Sequence, residues 1–498
     1  MNAIRVSKSE FKFAVALVCL IPVLLGGCAV GPDYKPPAPP QVSGYMKSPL
    51  ESTTGTTNVG GGEAQRFLTG ADIPGEWWTL FHSKPLNDLI ELALTNNPTI
   101  KAGQAALTVA RENVLVQKGS YFPTISGAFS AARQKTSEEI SPTPNSGQLY
   151  FSLYTPQVSA SYVPDVFGLN RRTVESLKAE EGQARFALAA THITLSANVA
   201  EAAIQEAALR GQIEATRQMV LVSSNMLQTL REQFDKGYAG RADVAVQEAQ
   251  LAQTVATLPP LLKQLAQQRD LLAALAGSFP GQDPAAQFEL ASLQLPQELP
   301  VSLPSQLVAQ RPDVRQAEEA LHSASAQIGV AVANRLPTIT LSADLGTMAL
   351  EAGKMFANGN GFWTLAGSVA QPIFQGGALL HKERAARAAY TQAAEQYRAA
   401  VLAAFQNVAD SLHALQQDAS GLKAAAAAQD AAKVSLDLAR KQFETGYSGY
   451  LPLLTAEQAY QQAMLNLVQA QANRYADTVA LFQSLGGGWW HRAEFSKN

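Results

Sequence analysis

The chain has 498 residues, 47% of them hydrophobic, with a formal charge of −3 and two cysteines. That balance, with a pI near 6.1, gives no electrostatic footprint for a nucleic-acid partner, and two cysteines make no disulfide framework. Charged residues are 16%, below the usual quarter; alanine and glutamine take the missing share, as closely packed helices require.

Residues 1–27 read as an export signal: Arg5, Lys8 and Lys12 precede an apolar run at 13–25 that is too short for a comfortable membrane span. The run ends in Leu25-Gly26-Gly27-Cys28, which resembles a bacterial lipobox, with cleavage before Cys28 and a lipid such as palmitate on its sulfur. An ordinary signal peptide that happens to contain a cysteine is the competing reading. Cys19 leaves with the signal. Ala29, rather than an aspartate, follows Cys28; by resemblance to bacterial lipoproteins this permits transfer to the outer membrane. Residues 28–75, rich in Pro, Gly, Ser and Thr, read as an extended tether.

Trp77-Trp78 and Phe81 open the ordered part, a first repeat over 76–290. It starts with amphipathic helices near 86–94 and from Asn97-Pro98 onward. A strand pair follows at about 122–163, where Ile125 and Phe129, then Val158, Ala160 and Tyr162, alternate with polar residues at period two. A polar loop holding Pro142, Pro144 and Gly147 separates the two strands. A long helix at 168–235 comes next; its 171–234 core lacks proline and has only Gly182 and Gly211 as glycines. One helix of that length measures about 95–100 Å, more than a compact globular domain can bury. Return helices at 240–276 are interrupted by Pro259-Pro260, since proline removes a backbone donor.

The second repeat, 291–486, follows the same order: a helix at 311–333, a strand pair at about 336–374, a long helix at 377–445 and a return helix at 450–485, with a tail at 487–498. In its strands Ile339, Leu341 and Leu345, then Trp363 and Val369, form an apolar face that fits lipid, against Thr338, Thr340 and Ser342. Four landmark pairs recur in order. The clearest are Phe234-Asp-Lys-Gly237-Tyr238 with Phe443-Glu-Thr-Gly446-Tyr447, and Tyr121-Phe-Pro123 with Arg335-Leu-Pro337. Duplication of one structural unit is the economical explanation.

No apolar run after the signal is long enough for a transmembrane helix, so a membrane crossing must use strands. Each strand is about ten residues, the length that crosses a bilayer when tilted. Four strands cannot close a barrel, since known membrane barrels need at least eight. The barrel must be shared, and two or three copies both satisfy the physics. Two soluble hairpins on a helical core are the alternative.

The chain resembles the outer membrane factor family (TolC-like channels), specifically its NodT-type lipoprotein branch. The resemblance rests on Cys28-Ala-Val-Gly-Pro-Asp-Tyr34, Trp77-Trp78 with Phe81, Asn97-Pro98, Phe167-Gly168, Pro259-Pro260, Gln371-Pro-Ile-Phe374 with Gly376-Gly377, the two tip turns and Leu485-Gly-Gly-Gly-Trp489. It implies a mainly α fold with membrane β. A homotrimer shares a twelve-stranded outer-membrane barrel, continued by a long periplasmic α-helical barrel. It also implies a passive exit duct of a tripartite efflux system, relevant to multidrug resistance. The partners would be a periplasmic adaptor, an inner-membrane pump of the resistance-nodulation-division type and outer-membrane lipid.

The sequence carries no G-x-S-x-G, P-loop, H-E-x-x-H or paired-cysteine motif. His82, His192, His322, His381, His413 and His491 are scattered and read as surface or interface residues, so neither an enzyme, a metal nor a cofactor beyond the Cys28 lipid is expected. Chemistry is expected at the tip, where the turns at Gly237 and Gly446 would bring Arg241 and Asp243 toward Glu444 and Tyr447, with Phe443 and Leu451 beside them. The resemblance makes Asp243 a gate aspartate; the competing reading is that it only supports a helix start. Pro452 and Thr455 stand where many relatives have aspartates, which speaks against a second carboxylate ring. Arg171, Arg172, Lys382 and Arg384 fit either a lipid-headgroup boundary or ordinary solvated charge. An adhesin-like lipoprotein with a coiled-coil stalk would need sustained heptads, and the Ala-rich helices show none.

Overall fold

The computed structural model describes residues 29–48, 50–137, 149–282 and 286–496. The signal, Cys28 and the loop with Pro142, Pro144 and Gly147 therefore lie outside the described residues.

In chain order the elements are β1 (Arg66–Thr69), α1 (Lys84–Asn96), α2 (Pro98–Gly119), β2 (Thr124–Lys135), β3 (Tyr150–Tyr162), α3 (Leu169–Asp235), α4 (Arg241–Ala256) and α5 (Leu258–Leu275). They continue with β4 (Glu298–Val301), α6 (Pro304–Gln310), α7 (Pro312–Ala333), β5 (Thr338–Thr347), β6 (Gly361–Ala370), α8 (Ala378–Glu444), α9 (Tyr450–Ser484) and α10 (Ala493–Ser496). Both long helices, α3 and α8, are unbroken at 67 residues. Pro259 and Pro260 sit in the first turn of α5, where a missing N–H costs nothing, so the dipeptide divides α4 from α5 without straining either.

The chain forms two compact units. The first takes the described residues up to Pro37 with Leu107–Gln183 and Ala317–Tyr397; the second takes Ala38–Ala106, Ala184–Gln316 and Arg398–Asn498.

The first unit holds a four-stranded antiparallel sheet in the order β2-β3-β5-β6. Within the same unit residues 30 and 31 are fastened to the segments at 167–172 and 329. The Val30 N–H donates to the Phe167 carbonyl at 3.1 Å. A Cβ on Gly31 would lie 2.4 Å from the Gly329 Cα, and one on Gly329 would lie 2.7 Å from the Arg172 Cγ and 2.8 Å from the Val30 oxygen. The start of α3 is capped by Asp165, whose carboxylate accepts the Asn170 and Arg171 N–H groups, each at 2.9 Å.

The second unit buries Trp77, Phe81, Leu86 and Ile90 with Tyr475, Val479 and Phe482; Trp77 stacks on Phe482 with ring centres 5.4 Å apart. Part of the stretch read as an extended tether is paired here. β1 pairs with β4 in parallel, and the buried Gln65 donates to the Pro296 carbonyl and to Thr478. A polar, Pro-rich composition signals extended backbone, and extended backbone also serves as a short strand once a partner strand is supplied. β1, β4 and α6 are too short to show a periodicity.

Two glycines separate packing from propensity. Gly421, inside α8, has no atom within 4 Å of an added Cβ, so Gly421→Ala should stabilise by about 1 kcal/mol through helix propensity. Gly329→Ala should destabilise by about 1–3 kcal/mol through overpacking. Thermal melts followed by circular dichroism should move in opposite directions; a shared direction contradicts this assignment.

Candidate functional site

The register places one alternation set on each face of the sheet. Ile125 pairs with Ala160, Val158 with Leu345, Leu345 with Trp363, Ala343 with Leu365, and Ile339 with Val369. These residues make a continuous apolar face across four strands. Side chains alternate across a strand, so Ser126, Ser159, Ser161, Thr340, Ser342, Thr364 and Ser368 form the opposite, polar face, where the Ser159 hydroxyl donates to Asp344 at 2.5 Å. The apolar side is solvent-exposed in the single chain: Ile125 75%, Leu345 66%, Trp363 76% and Val369 69%. A face of that area needs an apolar cover. Ile125, Phe129, Val158 and Leu365 belong to it as fully as Ile339, Leu341, Leu345, Trp363 and Val369. Their alternation is visible in the sequence, but only the register adds them to one surface.

Arg172 departs from its reading as solvated or headgroup-facing charge: it is buried and fully engaged. It donates to Asp33 at 2.7 Å, Glu175 at 2.7 Å and the Val30 carbonyl at 3.0 Å, so a residue just past the strands holds the 30–33 segment instead of facing solvent. Lys382 and Arg384 are exposed. Tyr34 stacks on His322 with ring centres 4.2 Å apart, and His322 lies 3.2 Å from Glu175 and 3.4 Å from Glu319. The Glu319 carboxylate first, then Glu175, holds the imidazole above its ordinary range against the opposing effect of burial. His192 is likewise buried rather than at the surface, edge-on to Phe495. No group of three His, Cys, Asp or Glu able to hold a metal occurs among the described residues.

The tip lies within the second unit. Both turns are Schellman closures: Tyr238 N–H donates to the Gln233 carbonyl at 2.8 Å and Tyr447 N–H to Gln442 at 2.9 Å, with Gly237 and Gly446 at φ near +77° and +76°. That left-handed conformation favours glycine, which explains why Gly-Tyr recurs. Behind the turns Met226, Leu230, Leu436, Tyr450, Leu453 and Leu454 form a buried cluster, with Phe443 and Val244 packed on it. The Tyr450 hydroxyl donates to Gln247, and Gln247 donates to the Ser223 carbonyl at 2.8 Å. Asp243 accepts the N–H of Gly240 at 3.1 Å and so caps its own helix. Among the described residues no hydrogen bond or ion pair joins Arg241 or Asp243 to Glu444 or Tyr447. Tyr447 and Leu451 are 90% and 70% exposed. Gln247, Tyr450 and Glu457 escape a sequence reading, because each sits in an ordinary helical pattern.

The described residues thus combine a sheet apolar on one face and polar on the other with two 67-residue helices. The family model described as outer membrane efflux protein matches residues 89–278 and 303–487, and the chain belongs to that family. It is similar to the toluene efflux pump outer membrane protein TtgC of Pseudomonas putida, 28% identical over 469 residues that cover 94% of each chain. Among solved structures it resembles the outer-membrane channel OprN (TM-score 0.82, 25% identity, covering 93% of this chain and 100% of that one). It also resembles the open state of the MtrE outer membrane channel of Neisseria gonorrhoeae (TM-score 0.79, 27% identity, 93% and 99%). The fold is that of these channels: membrane strands contributed to a shared β barrel, with a long α-helical barrel extending into the periplasm. The protein is an efflux duct of the outer membrane, a transport component and not an enzyme.

The clasp around His322 gives a pH test. A histidine held above its ordinary value of about 6.5 stabilises the fold fully below that value, and the contribution is lost as pH rises through the raised folded value. The wild type should melt above His322→Asn at pH 5.5, with the gap closing toward pH 8.5. A gap independent of pH contradicts the charged clasp.

Proposed function

We propose that three copies of the chain form the exit duct of a tripartite efflux pump. β2 and β6 are the sheet's outer strands and each pairs on one side only among the described residues. Since successive neighbours are antiparallel, β2 and β6 run in opposite directions, and β6 of one copy meets β2 of the next in the same antiparallel sense. Three four-stranded sheets give twelve strands, enough for a lumen, whereas eight leave an interior that side chains fill. The polar face then lines water and the apolar face meets lipid.

In the second unit Arg241, Asp243, Phe443, Glu444, Tyr447 and Leu451 would line the mouth, where a periplasmic adaptor and an inner-membrane pump of the resistance-nodulation-division type would engage. Lipid on Cys28 would add an anchor beside the barrel, since Val30 is tied to Phe167 a few residues after β3. TtgC is named for toluene, which supports small organic compounds as cargo. The observation that carries the reading is the two-faced sheet with both edges open.

One face can be tested against the other. Leu341→Arg should impair assembly by about 2–4 kcal/mol at mid-bilayer depth, while Thr340→Arg, on the polar face, should be tolerated. The check is the yield of heat-resistant oligomer in outer-membrane fractions. Equal tolerance at both positions would show a soluble sheet.

A further inference from the structure

The tip cluster contains one residue that its packing does not explain. Glu457, two turns into α9, is 1% exposed, and neither of its carboxylate oxygens has a hydrogen-bond partner among the described residues. Its neighbours in sequence, Leu453, Leu454 and Ala456, belong to the buried cluster with Met226 and Leu230 from α3 and Leu436 from α8; Val244 from α4 packs on it. An ionised carboxylate in such a place carries the full cost of lost hydration with no compensating bond.

The charged and titratable groups around it can be named element by element. Arg440 of α8 acts on it electrostatically, though no ion pair joins the two among the described residues. On α9 itself the titratable side chains at the cluster are Tyr450, on which Glu457 and Asp243 of α4 both act, and Tyr460, which packs against the same cluster. Toward α3 the cluster presents Met226 and Leu230; the flanking Arg231 of α3 is spent on Glu248 of α4 at 2.6 Å, with both side chains about half exposed. No hydrogen bond or ion pair to the Glu457 carboxylate forms among the described residues.

We propose that Glu457 is a proton-operated latch on the tip. Protonated, it lets the ends of α3, α4, α8 and α9 stay packed; ionised, it loosens them and widens the mouth. This rests on the reading of the tip as the mouth of the duct. Burial pushes the Glu457 carboxyl up to about 7, against the opposing pull of Arg440. The sign follows from linkage: a carboxyl raised in the packed state favours packing at low pH. That advantage falls away from the ordinary glutamate value of about 4.3 upward and is gone above about 7. The latch therefore closes in acid and releases toward alkaline pH.

The test uses the full-length oligomer in planar bilayers at pH 5 and pH 8, with spin labels at Tyr447→Cys reporting distances between copies. Wild type should conduct several-fold more at pH 8, with longer and broader distances. Glu457→Gln and Glu457→Met, which cannot ionise, should hold the pH 5 conductance and distances at both values. A wild type whose conductance and distances do not change with pH overturns the latch, as does a Glu457→Gln channel that opens like wild type; in both cases the duct itself stands. An inserted oligomer that conducts at neither pH overturns the duct reading, and the spin-label distances then decide the latch alone.

Discussion

A strand edge exposed to lipid cannot satisfy its backbone, and each unpaired N–H or C=O there costs several kcal/mol. This chain carries two such edges, on β2 and β6. The apolar face spanning all four strands leaves the sheet no aqueous refuge. Closure by other copies is the solution that removes both edges at once, and an even number of strands per copy keeps every junction antiparallel. The constraint thus reaches from single backbone amides to the need for more than one subunit.

The duplication works within the same limits. Each repeat supplies a strand pair, a 67-residue helix and a Gly-Tyr turn leading into a return helix. The two turns use the same pair of backbone hydrogen bonds, with glycine at the same left-handed φ. Their side-chain surroundings have diverged. The first is followed by a capping aspartate, Asp243, while the second leads into Tyr450 and Leu453, both part of the apolar cluster. Backbone geometry is shared between the two repeats, and the side chains around each turn are not.

Features written in a local periodicity were legible beforehand. Strand alternation gave Ile339 to Val369 one face, the absence of proline gave the long helices, and Gly237 and Gly446 gave the turns. What depended on distant partners was not legible. β1 needs β4, some 230 residues away, before it is a strand. Arg172 sits among residues that read as solvated until Asp33 and Val30 fold back on it. Glu457 looks like any polar residue of an amphipathic helix, and its burial shows only in the packed fold. The bond from the Gly240 N–H to Asp243 caps α4 in the fold and does not bear on the gate reading.

The central claim is that the edges meet between copies, and a cross-link tests it directly. Ser126 of β2 and Ser368 of β6 both lie on the polar face. Within one chain they are three strand spacings and four residues of register apart, about 20 Å, beyond the reach of a short thiol linker. With cysteines at both positions, such a linker applied to membranes should give a ladder on denaturing gels that ends at three subunits. A ladder ending at two would contradict the trimer, and a chain that stays monomeric under the linker would contradict edge-to-edge closure altogether.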